Sequence, residues 1–351
     1  MRQKSPSRLG RRLLIFGAAG LILLGVAHTL LWRAMAQGLD QGWRTWVQLR
    51  RSQGWRVEHA EPVQGGWPLA ATLSLPRLRM QGGGHTLPGG VVFTAERVAL
   101  RVDLPWLDRL TVELPGQQRL RLGDVEYPFV ADRLSAVVPL EPGTPPSEAE
   151  VTAERLRLGT PAGGVEVRRA RLMLRGSASA TEAEAALAVE LSAQDVDLPV
   201  APPGGFGRRI ATLTSELSLS GPLPPGREPA RRAEAWRDGG GTLEVRSLGL
   251  RWGPVQAAAA ATLALDEELQ PMGAGTLRLT GADQALAGLT EAGLVGRRAA
   301  IAARGVLPLL SRPSAATGEP EIEVPLTLED RTLALARIPV LRFAPLEWPP
   351  R

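Results

Sequence analysis

Hydropathy and turn residues along this chain predict a mainly β (α+β) fold: an N-terminal transmembrane helix, then a large curved antiparallel sheet or pair of sheets with a few covering helices. That expectation stands on three features: an uncharged apolar run of 20 residues near the start, a switch of hydrophobic period to two after Trp55, and turn residues that cut the remainder into short segments. The chain has 351 residues, 44% of them hydrophobic and 22% charged, enough to bury a substantial core. Its 39 Gly and 30 Pro stay below the level of a low-complexity chain and act as punctuation.

Residues 1–12 form a basic flank. Of the 41 Lys and Arg residues, five (Arg2, Lys4, Arg8, Arg11, Arg12) stand here with no acid among them, and the remaining 36 balance 36 Asp and Glu. The net charge of +5 therefore belongs to the flank, not to the body. A phosphate-gripping surface needs a surplus of cations along one face, so nucleic acid is not an expected partner. Residues 13–32 (LLIFGAAGLILLGVAHTLLW) are the apolar run. At ~1.5 Å per residue, 20 residues span the ~30 Å hydrocarbon core of a bilayer. Arg11 and Arg12 flank its cytoplasmic end and Trp32 and Arg33 its outer end, which by the positive-inside rule places the body outside, on the periplasmic side of a bacterial inner membrane. Ala34-Met35-Ala36 resembles a signal-peptidase site, which keeps cleavage open as the alternative, although Leu30, Leu31, Trp32 and Arg33 are bulky for its approach. His28 lies within about a turn of the outer end and reads as a bland interfacial residue.

Residues 33–54 read as an amphipathic helix continuing out of the membrane, with Met35, Leu39, Trp43, Trp46, Val47 and Arg50 at spacings of three and four and Gly54 as its stop. Beyond it, Leu73 and Leu75 alternate with Thr72 and Ser74. The same pattern holds for Val98, Leu100, Val102 and Leu104, for Leu110, Val112 and Leu114, for Leu187, Val189 and Leu191, for Leu213, Leu217 and Leu219, and for Ile322, Val324, Leu326 and Leu328. Such strands bury one side only. Gly82-Gly83-Gly84, Pro88-Gly89-Gly90, Pro142-Gly143, Gly163-Gly164 and Pro202-Pro203-Gly204-Gly205 mark turns, and more than ten strands are implied.

Helices are expected at Arg231 to Asp238 and as a hairpin over 282–310, broken near Gly293 and Gly296. The segments 142–147 (PGTPPS) and 221–229 (GPLPPGREP) are linker candidates. The expected division is a first β-rich unit over 55–225 and a second over 226–351.

Side chains suited to catalysis or metal binding are few in this chain. There is no cysteine, which excludes disulfides and thiolate sites. Outside the span only His59 and His85 remain. His59 lies near Glu58 and Glu61, but two histidines without compact spacing make a poor metal or triad signature. Gly82-Gly83-Gly84 lacks the Lys-Ser/Thr that a phosphate loop carries, and the acid pairs Glu182/Glu184 and Glu321/Glu323 fit solvated strand faces or turns. No catalytic residue, cofactor or metal is expected, and the chain reads as a non-enzyme. Tryptophan is the unusual feature: five of nine (Trp32, Trp43, Trp46, Trp55, Trp67) fall between residues 32 and 67. Trp32 is expected at the membrane interface. Trp43, Trp46, Trp55 and Trp67 are expected to fill the space between helix and sheet or to contact an apolar ligand, with a lipid-contacting belt as the alternative.

The stretch from Gly38 to Leu75, with Trp43, Arg51, Gly54-Trp55 and Gly66-Trp67-Pro68-Leu69 leading into a strand, resembles the bacterial domain of unknown function 2125. In that family an aromatic-rich helix precedes a Gly-Trp pair and a Gly-aromatic-Pro motif. The C-terminal part is similar as well, with Leu263 to Pro271, Gly275-Thr276-Leu277-Arg278-Leu279, the helical hairpin, then Val324-Pro325-Leu326-Thr327-Leu328-Glu329-Asp330. That part also looks like the end of AsmA-like envelope proteins. Asp330-Arg331 departs from the pattern, since a turn glycine would be more typical there. The family carries no established activity. The AsmA-like resemblance implies an apolar groove that shields lipid chains.

Two functions are thus expected from the sequence. One is a membrane-anchored periplasmic module that binds or shields lipid or another apolar ligand in a β groove. The other is an envelope scaffold or assembly factor that binds other envelope proteins.

Overall fold

The one long helix, α1 (Arg8–Ser52), is continuous, so the expected anchor and the amphipathic segment are a single rod. This computed structural model describes residues 8–83, 90–140, 147–177, 179–181, 184–226, 228–293, 295–313 and 318–348, with side chains of α1 from Phe16 onward. Arg2, Lys4, His85, Glu182, Leu294, the turn residues Gly84, Pro88, Gly89, Pro142 and Gly143, and the side chains of Arg8, Arg11 and Arg12 lie outside the described residues.

Gly54 ends α1 by adopting φ +87°. The Trp55 N–H then reaches back to Arg50 O at 3.0 Å and the Gly54 N–H to Arg51 O at 3.0 Å, a Schellman closure that caps two terminal carbonyls. From Phe16 to Leu30 the apolar side chains of α1 are exposed, and the helix is long and apolar enough to be a membrane anchor or a signal sequence.

Short strands β1 (Arg56–Glu58) and β2 (Val63–Gly65) flank the long β3 (Ala70–Gly82), which pairs with β4 (Val91–Asp103). Two shorter pairs stand end to end beyond β4: β5 (Arg109–Glu113) with β8 (Arg133–Pro139), and β6 (Gln117–Leu122) with β7 (Val125–Val130). Both reach β9 (Glu148–Thr160), from which a meander continues through β10 (Gly163–Gly176), β11 (Ala185–Asp197) and β12 (Arg209–Ser220). Helix α2 (Pro229–Asp238) intervenes before β13 (Leu243–Trp252), β14 (Val255–Leu265) and β15 (Pro271–Thr280). A hairpin of α3 (Ala282–Glu291) and α4 (Arg297–Leu310) precedes β16 (Ser311–Pro313), β17 (Pro320–Glu329), β18 (Thr332–Leu335) and β19 (Ile338–Arg342).

Every ladder is antiparallel, and together the strands make one sheet. Between the two expected β-rich units the pairing runs on: β12 and β13 pair directly, with α2 and the 221–229 segment looped out between them. No ladder among the described residues joins β1 or β2 to β19, so the sheet is open.

The sheet stays one-sided while it bends, by a local device. Pairing skips Arg77 opposite Glu96 on β3 and β4, and skips Arg168 opposite Arg155 and Asp195 on β9, β10 and β11. Arg77, Arg155 and Asp195 have φ of 52°, 47° and 49°. Beyond each interruption the inward side chains resume one residue out of step: Leu73 and Leu75 give way to Leu78 and Met80, and Ala170 and Leu172 follow Val165 and Val167. Such breaks bend a strand and keep its oily side chains on one face. The displaced charges stay outside in ion pairs, Arg155 with Asp132 and Arg168 with Asp195 at 3.3 Å.

Candidate functional site

Residues paired directly across an antiparallel sheet share a face, so the register can be followed from strand to strand. Leu73 pairs with Leu100, and the row continues through Val112, Ala136, Val151, Leu172, Leu191, Ser215, Leu248, Ala259, Leu277 and Val324. Eleven of these twelve residues are apolar. The neighbouring row on the opposite face reads Ser74, Ala99, Glu113, Ser135, Thr152, Arg171, Ser192, Thr214, Gly249, Ala258, Arg278 and Glu323. That face belongs to water, and its charges pair across strands, as in Arg171–Glu150 at 2.7 Å, Arg175–Glu190 at 2.6 Å and Arg278–Glu323 at 3.4 Å. Exposed pairs of this kind add ~0–1 kcal/mol each and mainly keep the face wet.

Cover on the apolar face is uneven. Leu73 at one end is fully buried and Val324 at the other is 5% exposed, whereas Leu248 in the middle is 42% exposed and Val151, Leu172 and Leu191 are half-buried. Helix α1 lies lengthwise over β3 at the first end: Trp32 Nε1 donates to Ala70 O at 2.9 Å near the start of β3, and Arg51 donates to Val57 O at 2.7 Å beside its far end. Helices α3 and α4 cover the other end. Helix α2 lies beside the row, over Leu219, Leu243 and Leu263 near the ends of β12 to β14, while among the described residues no helix packs extensively on β9, β10 or β11.

Three apolar cavities are floored by it. The largest, about 570 Å³, lies under α1 between Met35, Trp43 and Trp46 and the residues Leu100 and Val112 of the strands and Leu140 just past β8. A second of about 340 Å³ lies beneath α2 and the C-terminal Leu346 and Trp348, and a third of about 110 Å³ lies under α3 and α4. Beside the largest, Gln118 is 1% exposed; its Nε2 donates to Leu114 O at 2.9 Å while its Oε1 has no partner.

The expected aromatic residues divide. Trp43 is 8% exposed, stacks on Trp46 with centroids 5.1 Å apart, and joins the core cluster with Val47, Leu73 and Leu75. Arg50 lies over the Trp46 ring. Trp55 is half-buried against the Gly82 backbone, where a Cβ would collide with its ring. Trp67 departs from the expectation that it packs with them, since it is 59% exposed. It sits in the turn before β3, where Gly66 at φ +91° leaves no room for a side chain against Ala70 O and Thr72, and the turn carries Trp67 past the sheet edge. Trp32 is partly buried through its bond to Ala70, and Arg33 is exposed. Sequence reading missed Trp106, which is 74% exposed, and Leu69.

His59 is occupied structurally. Trp43 Nε1 donates to its Nε2 at 3.2 Å and its Nδ1 stands 2.7 Å from Ala60 O, so both ring nitrogens have partners within the fold. Among the described residues no group of three or more His, Asp or Glu could hold a metal ion.

The fold and this face define a class: a broad one-sided antiparallel sheet led by a long apolar helix. The chain belongs to the family described as uncharacterized protein conserved in bacteria (DUF2125), whose model matches residues 32–344. No curated protein and no solved structure matches it.

Proposed function

We propose that this is a non-enzymatic, single-pass inner-membrane protein with a cytoplasmic N-terminus and a periplasmic body, which holds or shields acyl chains against the apolar face of its sheet. The observation that carries the reading is the row from Leu73 to Val324, oily throughout except at Ser215, with α1 over one end, α3 and α4 over the other, and α2 beside it at β12 to β14. Eleven strand steps of ~4.8 Å give a path of roughly 50 Å along the sheet, several times the ~15 Å depth of one leaflet's chains. Left bare, the half-buried middle of that path would be a large exposed apolar patch, which soluble surfaces avoid and ligand grooves use.

An uncut anchor is supported by α1 itself. Ala36, the end of the cleavage-like triplet, is 1% exposed within the helix, and cutting there would remove the Trp32–Ala70 and His28–Pro68 hydrogen bonds. The five cations of the flank favour the cytoplasm for the N-terminus.

Native mass spectrometry of the full chain extracted in mild detergent, followed by lipid extraction, tests the reading. Bound lipid masses that vanish on delipidation are expected. A protein that is always empty, or one that crosslinks in cells to a defined envelope protein and not to lipid, would overturn it in favour of a scaffold.

A further inference from the structure

We infer that the sheet edge beside the outer end of α1 is a second membrane-contact surface, in which Trp67, Leu69 and Trp106 enter the headgroup boundary of the bilayer that α1 crosses. The inference rests on the anchored reading of α1.

The three side chains are 59%, 74% and 74% exposed. They are brought together by backbone: the Leu104 N–H donates to Leu69 O at 2.9 Å, which sets the loop holding Trp106 beside the loop holding Trp67 and Leu69. The second of these loops sits against α1 at His28 and Trp32, through His28 Nε2 to Pro68 O at 2.6 Å and Trp32 Nε1 to Ala70 O. Neither the Trp67 nor the Trp106 indole N–H makes a hydrogen bond among the described residues. Exposed indoles that show an oily body and a free donor suit the interface of a bilayer, where headgroup oxygens meet acyl chains.

Helix length supplies the independent argument. The body first touches α1 at His28, so residues 13–27 are all that stands clear of it, and 15 residues at ~1.5 Å rise cover only ~22 Å of a ~30 Å hydrocarbon core. The apolar run makes up the remainder with residues 28–32, the level of the two loops. An anchor that fills the core therefore draws those loops into the interface. The consequence reaches the groove. Met35 lies one turn above Trp32, and Leu140, whose N–H donates to Asp108 O at 2.7 Å, belongs to the same edge; both line the 570 Å³ cavity, which places its mouth at the lipid surface.

The chain has no cysteine, so single labels are unambiguous. Leu23→Cys, Leu69→Cys, Trp106→Cys and Asp124→Cys, each labelled with an environment-sensitive dye in the full chain, are reconstituted in phosphatidylcholine/phosphatidylglycerol vesicles with nitroxide lipids of known depth. Unchanged circular-dichroism melts verify folding. Asp124 marks the opposite sheet edge, in the turn between β6 and β7. The expected result is deep quenching at 23, a blue shift with shallow quenching at 69 and 106, and neither at 124. Quenching at 23 without any at 69 or 106 overturns the inference and leaves the anchor standing. No quenching at 23 removes the anchor and this inference with it.

Discussion

Leu191→Glu places a carboxylate midway along the apolar row, between its register partners Leu172 and Ser215 and away from every covering helix. A chain lying across the strands covers roughly four methylenes per ~4.8 Å strand step. At ~0.8 kcal/mol per buried methylene, denying it one step costs ~3.2 kcal/mol. Because 1.4 kcal/mol is tenfold, lipid affinity should fall by about 200-fold. The fold should survive, since Leu191 is half-buried and its loss removes ~1 kcal/mol of the ~1.5–3 kcal/mol that full burial of a leucine contributes. The paired control is Ser192→Glu, one residue on, facing water beside Arg171. Titration of delipidated protein with a fluorescent fatty acid or phospholipid reads the affinity, with a thermal melt in parallel. Equal affinities for the two variants, or a melt that collapses for Leu191→Glu alone, would refute the idea that the middle of the row meets ligand and not packed protein.

Other outcomes follow from the same geometry. Trp43→Ala should cost ~3–5 kcal/mol, since it empties the buried junction of α1 and β3, whereas Trp43→Phe should cost ~1 kcal/mol for the bond to His59; denaturant titration of the detergent-solubilised chain separates them. Asp330 and Arg331 turn the β17–β18 hairpin with φ of 48° and 61°, values that suit Asn-Gly, so Asp330→Asn with Arg331→Gly should raise the melting temperature by about 2–4 °C for each kcal/mol gained. The Thr181 N–H donating to Glu184 at 3.0 Å holds that carboxyl below its ordinary range. A depressed folded pKa gives stability that is present above the unfolded value and lost as pH falls through the folded one. Glu184→Gln should therefore lower stability slightly at neutral pH, converge on the parent in strong acid and flatten the limb between, as thermal melts across the acid range would record.

Much of the fold could be read from periodicity. Stretches such as Thr72–Leu75 of β3, Leu213–Leu219 of β12 and Ile322–Leu328 of β17 alternate cleanly, and the 282–310 hairpin breaks near Gly293 and Gly296 as its glycines suggest. Strand β14 could not be read that way. Its VQAAAAATLAL favours helix by local propensity, but ten register pairs with β15 and a ladder with β13 hold it extended. Strands β9 and β10 were hidden for another reason: the slips at Arg155 and Arg168 break the period of two in mid-strand. The candidate site was legible only as oil on one side of each ribbon. That the oily sides join into one row is a property of register between residues as distant as Leu73 and Val324, which no local pattern encodes. Trp67 illustrates the same limit, because a Gly-Trp-Pro motif names the residue without saying whether the turn throws it toward the sheet or past its edge.

The most direct measurement is site-specific photocrosslinking in living bacteria, with a photoreactive amino acid at Leu172 on the apolar row and at Ser192 on the wet face. Acyl-lipid adducts are expected at position 172 and none at 192. A defined protein adduct at 172, or the same products at both positions, would contradict a lipid-holding face.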